Sequence, residues 1–451
     1  MKSQKSYAWL WAFFLLSFLG AKQAYSQAAP TLPEPDSRYK ADILVIVGHP
    51  DDDVLVAAYL AKAIEQEHKR VALIYATRGN SGGNAAGQEQ ANALADIREM
   101  EARHSLASYG INLAWFLHGS DVPGADVLHS LEQWGHGKML DEIVRLVRIT
   151  RPEIIFTFLP NYVVGENHED HQAAGVLATE ALDLAGNPLA FPEQVEAPRN
   201  RLNINNYGEG LRPWQPKKIY YFSDAANLDF AKGKGPEYPT NAVSPSRRIP
   251  YSRIAGDAWS YYKTQNTDFS DAQLKEFTEN PVRLIFGKSL VGGSETGDVF
   301  DQVHPGPAPY VKPRGYQPPE QNLALELGGP WAFYHAFWPA HNIERLADLF
   351  APEAQVAPGE SLWVPLIIRN DTNTAQEVRL TALLPAGWTQ KPDSVLYAIP
   401  AHDSYPVQLT LTAPESQRGT WQPLTWRAVA RGKEIGVVRL RVDVVGNYLP
   451  Q

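Results

Sequence analysis

The segment from residue 42 to about residue 222 alternates continuous apolar runs with amphipathic helical patterns, and this alternation constrains the fold more than any other feature. Five apolar runs have the length and composition of buried strands, at residues 42–48, 71–79, 112–119, 153–160 and 218–224. Helical patterns lie between them, at residues 54–67, 88–108, 130–149 and 169–184. Strands that are apolar along their whole length are typical of a parallel sheet covered by helices on both faces. The sequence therefore predicts an α/β domain with a Rossmann-like, doubly wound, mainly parallel sheet.

The pattern changes after residue 350, where apolar and polar residues alternate with a period of two. Segments such as "SLWVPLIIRN", "EVRLTALLP" and "IGVVRLRVDVV" have the pattern of half-buried strands, and turn residues separate them. Residues 350–451 are thus predicted to form an all-β, immunoglobulin-like sandwich. Two roles for this sandwich stay open, namely carbohydrate binding and a spacer or stabilising function.

The region between these two parts is rich in Pro, Gly and aromatic residues. Within residues 226–345, one helix is expected around residues 252–264. Such a region either builds a binding surface around the sheet or forms a packed surface extension. We assign residues 27–345 to one domain with its core at residues 40–225.

The N-terminus has the pattern of an export signal. Lys2 and Lys5 precede the apolar run "AWLWAFFLLSFLG", and small residues suitable for cleavage follow it. The run is short for a membrane span, so we expect residues 1–26 to be removed and the mature chain to begin near Gln27. An uncleaved anchor is the alternative. The expected location is periplasmic or extracellular, without stable membrane insertion after cleavage.

Composition excludes cysteine chemistry, and net charge argues against nucleic-acid binding. The chain has no cysteine, so it uses neither disulfides nor thiolate chemistry. Its formal net charge is -9, and no block of Lys or Arg provides the basic face that nucleic-acid binding requires. We therefore expect no nucleic-acid partner.

Two polar clusters follow predicted strands. "GHPDDD" ends the first strand, and "NHEDHQAAG", residues 167–175, follows the strand at residues 153–160. In a doubly wound sheet, ligands bind outside the carboxyl ends of the strands, at the point where the winding reverses. If the first and fourth strands are neighbours there, both clusters meet at one crevice.

The residue types in these clusters suit a catalytic metal ion. His49, Asp52 and His171 offer two imidazoles and one carboxylate, a ligand set for Zn²⁺ or Fe²⁺ that leaves positions for water and substrate. A metal ion in such a site lowers the pKa of bound water to about 7 and polarises a carbonyl oxygen. Both effects are typical of metal-dependent hydrolases that act on an amide or an ester.

Three neighbouring residues complete this interpretation. Asp51 is the candidate general base. His168, three residues before His171, is expected to lie on the same side of the helix start, where it would stabilise the oxyanion and protonate the leaving nitrogen. Asp170 is placed to orient a histidine. The alternative is that the three aspartates of "HPDDD" cap the next helix and the histidines are ordinary surface residues.

The pair "HPDDD" and "HEDH" resembles the signature of the PIG-L or LmbE-like zinc-dependent de-N-acetylases, over roughly residues 40–225. The resemblance implies that the metal ligands are His49, Asp52 and His171. It also implies that Asp51 is the general base and that His168 assists as acid or oxyanion stabiliser, with Asp170 behind it.

Further positions follow from the same resemblance. Arg78 in "ATRGNSGGN" matches a Thr-Arg-Gly segment, so it either contacts substrate or forms a structural ion pair. Asp121 falls where the family holds a sugar hydroxyl, although it also suits a turn cap. Asp53 replaces the usual Glu, which we expect to alter the geometry around the metal rather than abolish binding. Arg98 and Glu101 are expected to be structural.

The sequence thus predicts an exported zinc-dependent hydrolase that removes N-acetyl groups from amino sugars or N-acetylated glycan fragments. Export favours an external glycan as substrate, since the thiol-pathway members of the family act in the cytoplasm. Two alternatives stay open: a metallo-amidase that acts on a non-sugar N-acyl group, and a catalytically degenerate carbohydrate-binding protein.

Overall fold

The computed structural model of the 451-residue chain describes the following residues: 34–122, 126–162, 168–197, 208–225, 228–265, 280–317, 322–349, 351–393, 395–415, 419 and 421–445. The predicted export signal lies outside them. No helix among the described residues is long and apolar enough to cross a membrane.

A six-stranded sheet forms the centre of the α/β domain. Its strands are β1 (Ile43–Val47), β2 (Val71–Thr77), β3 (Leu113–Gly119), β4 (Ile154–Phe158), β5 (Lys218–Phe222) and β8 (Ile285–Ser289). They lie in the order β3-β2-β1-β4-β5-β8; the first five are parallel, and β8 is antiparallel to β5. Strand β1 pairs with β2 on one side, where Ile43 is opposite Val71, and with β4 on the other side, where Ile43 is opposite Ile154. The strand order therefore reverses direction between β1 and β4. The doubly wound, mainly parallel sheet is confirmed.

Helices cover both faces of this sheet. They are α1 (Val54–Glu65), α2 (Ala91–Ser108), α3 (Val127–Gln133), α4 (His136–Thr150) and α5 (Glu169–Ala185). Successive residues of a strand face opposite sides, so Ile43 and Val45 pack with α1 and α2, whereas Leu44 and Ile46 pack with α4 and α5. The single helix predicted at residues 130–149 is two helices, because Gly135 between them adopts φ 65°.

Residues 34–35, 192–197 and 208–212 belong to a small separate unit. Its described part contains the short helix α6 (Pro192–Val195) and an ion pair between Arg212 and Glu34.

The region after β5 joins the core of the α/β domain. Its elements are β6 (Glu237–Tyr238), α7 (Tyr251–Trp259), β7 (Val282–Arg283) and the edge strand β8. Buried aromatic residues such as Tyr251 and Tyr262 pack in the same cluster as β1 and α1. Short 3-10 helices occur at Ser37–Tyr39, Asp229–Ala231 and Glu344–Leu349.

The C-terminal part is a sandwich of two sheets around its own apolar core. Its strands are β9 (Leu323–Leu327), β10 (Glu353–Val356), β11 (Ser361–Asn370), β12 (Gln376–Leu383), β13 (Thr389–Lys391), β14 (Val395–Ile399), β15 (Asp403–Thr412), β16 (Trp421–Ala430) and β17 (Lys433–Val444). One sheet has the order β13-β15-β11-β9, and the other has the order β10-β17-β16-β12-β14. The predicted all-β architecture is confirmed.

The chain passes between the two parts more than once. Strand β9 pairs with β11 of the sandwich, yet it precedes residue 350, where the sandwich was predicted to begin. The helix that follows, α8 (Gly329–Ala340), places Tyr334, Phe337 and Trp338 in the core of the α/β domain. The domain boundaries proposed from sequence stay predictions.

Candidate metal centre

The turn between β1 and α1 presents the first polar cluster at the carboxyl end of β1. The backbone N–H of His49 donates to Asp52 Oδ2 at 2.8 Å, which closes the turn. Asp51 has φ 135°, a conformation that L residues rarely adopt. Asp53 occupies the N-cap position of α1, but its side chain makes no capping hydrogen bond. Helix capping therefore does not account for the aspartates of this turn.

The start of α5 presents the second cluster beyond β4. His168 is the N-cap residue, and its Nδ1 accepts a hydrogen bond from the backbone N–H of Asp170 at 3.3 Å. Asp170 and His171 lie in the first turn of α5 and are buried. Phe158 stacks on the His171 ring, with centroids 3.9 Å apart. Because β1 and β4 are neighbours, the two clusters meet.

Donor atoms of three residues converge where the clusters meet. His49 Nδ1 lies 3.3 Å from His171 Nε2, His171 Nε2 lies 3.0 Å from Asp52 Oδ1, and His49 Nδ1 lies 3.8 Å from Asp52 Oδ2. Tetrahedral coordination at bond lengths near 2.0–2.1 Å separates neighbouring donors by about 3.3 Å. The three residues therefore fit one divalent metal ion. The His168 ring, 3.9 Å from His171 and 4.8 Å from His49 between centroids, lies beside them.

A carboxylate faces the second nitrogen of each candidate ligand histidine. Asp170 Oδ2 lies 3.2 Å from His49 Nε2, and Asp224 Oδ2 lies 3.1 Å from His171 Nδ1. Such carboxylates select the tautomer that leaves the other nitrogen free for a metal ion. The carboxylate of Asp170 was expected behind His168, but it is directed at His49 because the Val122 N–H also holds it, at 3.0 Å.

Asp224 is a site residue that sequence reasoning missed. It follows β5 by two residues, at the same edge of the sheet as the two clusters. The available signal was an acidic residue at the carboxyl end of a predicted strand, inside the run "KIYYFSD".

The electrostatics of the cluster favour a cation. Burial opposes a charge on His49, but Asp121, Asp170 and Asp52 outweigh it and raise the pKa of His49 to about 9. Burial likewise opposes a charge on His171, and Asp52 and Asp224 hold its pKa well above the usual range. The carboxylates thus stabilise positive charge at this position, which is what binding a divalent cation requires.

At His168 and Asp51, in contrast, the surroundings disfavour the charged form of the side chain. Burial, followed by the neighbouring His171 and His49, holds the pKa of His168 well below its usual range. Burial, followed by the charge of Asp52, raises the pKa of Asp51 well above that of an ordinary carboxyl group. A neutral imidazole and a carboxylate of raised basicity beside a metal centre suit hydrogen-bond donation and proton abstraction respectively.

The structure also places Asp121 at this site. The Ser81 N–H donates to Asp121 Oδ2 at 3.0 Å, while Asp121 Oδ1 lies 3.8 Å from His49 Nε2. Asp121 Oδ1 is buried and has no hydrogen-bond partner among the described residues. This oxygen thus keeps its capacity to accept a hydrogen bond.

Arg78 lies elsewhere. Its guanidinium contacts Asp96 at 2.6 Å and Glu99 at 3.0 Å, both on α2. Arg78 therefore forms the structural ion pair that was one of its two expected roles. A contact between Arg78 and substrate stays a prediction. Arg98 donates to the carbonyl oxygens of Gly79 and Gly83, which orders the glycine-rich loop.

Asp53 is directed away from the donor atoms and into the apolar core. The hydroxyls of Tyr75, Tyr109 and Tyr262 donate to its carboxylate at 2.8, 2.6 and 2.6 Å. Burial raises the pKa of Asp53 to about 6 against the effect of these three hydrogen bonds.

The fold and this cluster together define an α/β domain with a candidate metal centre at the point where its sheet reverses winding. Residues 44–182 match the family model described as GlcNAc-PI de-N-acetylase and are a PIG-L family domain. The matched range contains both clusters, whereas Asp224 and Tyr262 lie beyond it.

Curated proteins that are similar to this chain share one enzyme name. The 1D-myo-inositol 2-acetamido-2-deoxy-alpha-D-glucopyranoside deacetylase 1 of Catenulispora acidiphila is 27% identical over 187 residues, which are 38% of this chain and 57% of that protein. A deacetylase of the same name from Thermobifida fusca is 22% identical over 301 residues, which are 61% of this chain and 96% of that protein. The chain therefore spans just over half the length of some relatives and nearly all of another.

Solved structures with detectable similarity include the N,N'-diacetylchitobiose deacetylase of Pyrococcus horikoshii. It is 16% identical, with a TM-score of 0.38, over 63% of this chain and 94% of that chain. The conserved protein TT1542 of Thermus thermophilus is 17% identical, with a TM-score of 0.37, over 57% of this chain and 100% of that chain.

Proposed function

We propose that this protein is a zinc-dependent N-deacetylase that acts on N-acetylated amino sugars. The observation that carries the proposal is the convergence of His49, Asp52 and His171 on one point, with Asp51 in the same turn. The PIG-L domain and the names of the curated relatives support the reaction and the substrate class.

The ion would be held by His49 Nδ1, His171 Nε2 and the Asp52 carboxylate. Two imidazoles and a carboxylate suit Zn²⁺, and they also suit Fe²⁺. When bound, such an ion polarises a carbonyl and lowers the pKa of a water ligand to about 7. Asp170 and Asp224 keep the two imidazoles oriented.

Asp51 transfers the proton, and His168 stabilises the negative charge that develops on the acetyl oxygen. Asp51 takes a proton from the attacking water, and its raised pKa suits it to that role. Because His168 Nδ1 accepts from the backbone of Asp170, the neutral ring carries its proton on Nε2. That N–H donates to the acetyl oxygen as negative charge develops there. The amine leaves with the proton that Asp51 has taken up, and acetate is the second product.

Asp121 supplies a contact to the sugar. Its buried Oδ1 accepts a hydroxyl proton, while Ser81 holds the other oxygen. An acceptor fixed in this way favours a polyhydroxylated substrate over a non-sugar N-acyl compound. Together with the export signal predicted at residues 1–26, this favours an external N-acetylated glycan as substrate.

Acetate release tests the proposal. The purified protein with zinc is incubated with N-acetylglucosamine, N-acetylated oligosaccharides and N-acetylated amino acids. We expect acetate from the sugars, and an Asp51→Asn variant should lower kcat by about 100-fold or more. Asp257→Asn on the exposed face of α7 is the matched control and should match the wild type. Zinc-loaded protein that releases no acetate from any sugar would contradict the proposal, and release from the amino acids alone would favour a non-sugar amidase.

A further inference from the structure

We propose that Asp53 and the three tyrosines that donate to it form a tyrosine anchor (Asp53, Tyr75, Tyr109 and Tyr262) that holds the metal-binding turn in its working conformation. The inference deepens the proposed function and rests on it, since it takes Asp52 as a metal ligand. It makes Tyr262 a positioning residue that lies outside the matched range 44–182.

The anchor joins three separate parts of the chain. Tyr75 lies on β2, Tyr109 ends α2, and Tyr262 follows α7. Their hydroxyls reach Asp53 from 22, 56 and 209 positions away along the sequence. All three tyrosines are at most 1% exposed, and Asp53 is 0% exposed. Such a network fixes one conformation of the carboxylate, because every alternative leaves a buried charge with fewer donors.

The conformation of Asp51 shows why the turn needs an anchor. Its φ of 135° is strained for a residue with a side chain, and strain of this kind persists only where the surroundings determine the conformation. Before the strained position, the His49 N–H donates to the Asp52 carboxylate and closes the turn. After it, Asp53 immediately precedes α1 and is held by the three tyrosines. The strained residue therefore lies between two held positions, His49 and Asp53.

The anchor also sets the direction of Asp52. Neighbouring side chains at a helix start point in different directions around the helix axis. The tyrosines belong to an apolar cluster and hold Asp53 there, whereas Asp52, which is also buried, is directed at the second polar cluster, where its Oδ1 lies 3.0 Å from His171 Nε2. A shift of Asp53 would turn the Asp52 carboxylate away from this contact.

The length of the side chain at position 53 is matched to the tyrosines. Glu, the usual residue of the signature that this turn resembles, would move the carboxylate by about one C–C bond, near 1.5 Å. The three hydroxyls already lie 2.6 to 2.8 Å from the Asp53 oxygens in a closely packed core. Accommodating Glu here requires movement of the tyrosines or of the turn. In this chain the usual Glu should therefore impair the metal centre.

The experiment measures zinc affinity by competition with a chromogenic chelator, using the full chain. Thermal unfolding and kcat for acetate release are recorded beside it. We expect Tyr262→Phe to weaken zinc binding about 10-fold and Asp53→Glu to weaken it about 100-fold. The matched control is Tyr220→Phe on β5, a buried tyrosine whose hydroxyl has no hydrogen-bond partner among the described residues. Its zinc affinity should equal that of the wild type.

The outcomes separate the anchor from a purely structural role. If Tyr262→Phe lowers the unfolding temperature but binds zinc as tightly as Tyr220→Phe, the inference is overturned. Folded Asp53→Glu with wild-type zinc affinity would overturn it as well. If Asp53→Glu does not fold, Tyr262→Phe and Tyr109→Phe decide the matter. Wild-type protein that binds zinc but releases no acetate would contradict only the deacetylase proposal, because the anchor is judged on zinc affinity.

Discussion

The α/β domain and the sandwich bury polar groups in different ways. Among the described residues, every buried charged side chain precedes residue 290, including the candidate ligands Asp52 and His171. The described part of the sandwich buries only three polar side chains, the amides Asn370, Gln376 and Gln422. Burying a charge costs free energy unless a partner compensates it. The α/β domain therefore accepts that cost at several places, its candidate metal centre among them, whereas the described part of the sandwich has a nearly apolar core.

The contrast predicts that substitutions in the two regions affect different observables. In the sandwich, a core deletion should change the free energy of unfolding and leave zinc affinity unchanged in folded protein. At the metal centre, removal of a carboxylate should change zinc affinity while the fold persists.

The largest expected effect on stability is at Leu366, which is fully buried on β11. Leu366→Ala should lower the free energy of unfolding by about 2–5 kcal/mol, because it removes apolar contacts and leaves a cavity. Leu396→Ala, at a position that is 51% exposed on β14, is the control and should stay within about 0.5 kcal/mol of the wild type. Denaturant unfolding measures both. Weakened zinc binding in folded Leu366→Ala would show that the two regions are not independent.

The next-largest effect is expected at Asp52, in the candidate metal centre. Asp52→Asn should weaken zinc binding and acetate release by about 100-fold or more, because it replaces a charged ligand with an amide. The fold should persist, although the metal-free variant loses the charged contacts that Asp52 makes with the His49 N–H and with His171. Chelator competition and calorimetry test this pair of results. Asp257→Asn again serves as control, and unaltered zinc affinity in Asp52→Asn would remove Asp52 from the ligand set.

A smaller effect is expected at Asp224. Asp224→Asn should weaken zinc binding about 10-fold, because an amide is a poorer partner for the imidazole of His171. A titration with competing chelator measures the change. Affinity equal to that of the wild type would mean that the contact does not orient the ligand.

Sequence patterns predicted the framework of the site because the signals are local. The parallel strands are apolar along their length, and both clusters directly follow strands, so adjacency of β1 and β4 was enough to bring His49 and His171 together. The break at Gly135 was missed, since one left-handed residue divides an otherwise continuous helical pattern.

Other features depend on contacts that no local pattern encodes. The role of Asp224 requires β5 to lie beside β4, and the anchoring of Asp53 requires Tyr262, 209 positions away. The packing of α8 against the α/β core likewise follows from tertiary structure, although its aromatic residues are conspicuous in the sequence. Export and the role of the sandwich stay predictions.

Metal removal and replacement is the most direct test of the candidate metal centre. The purified protein is stripped with a chelator, assayed for acetate release from N-acetylated sugars, and assayed again after zinc addition, with bound metal measured at each step. We predict one tightly bound zinc per chain, loss of acetate release on stripping and its return with zinc, and neither binding nor release in His171→Ala. Undiminished acetate release from metal-free protein, or folded wild-type protein that binds no zinc, would contradict the account.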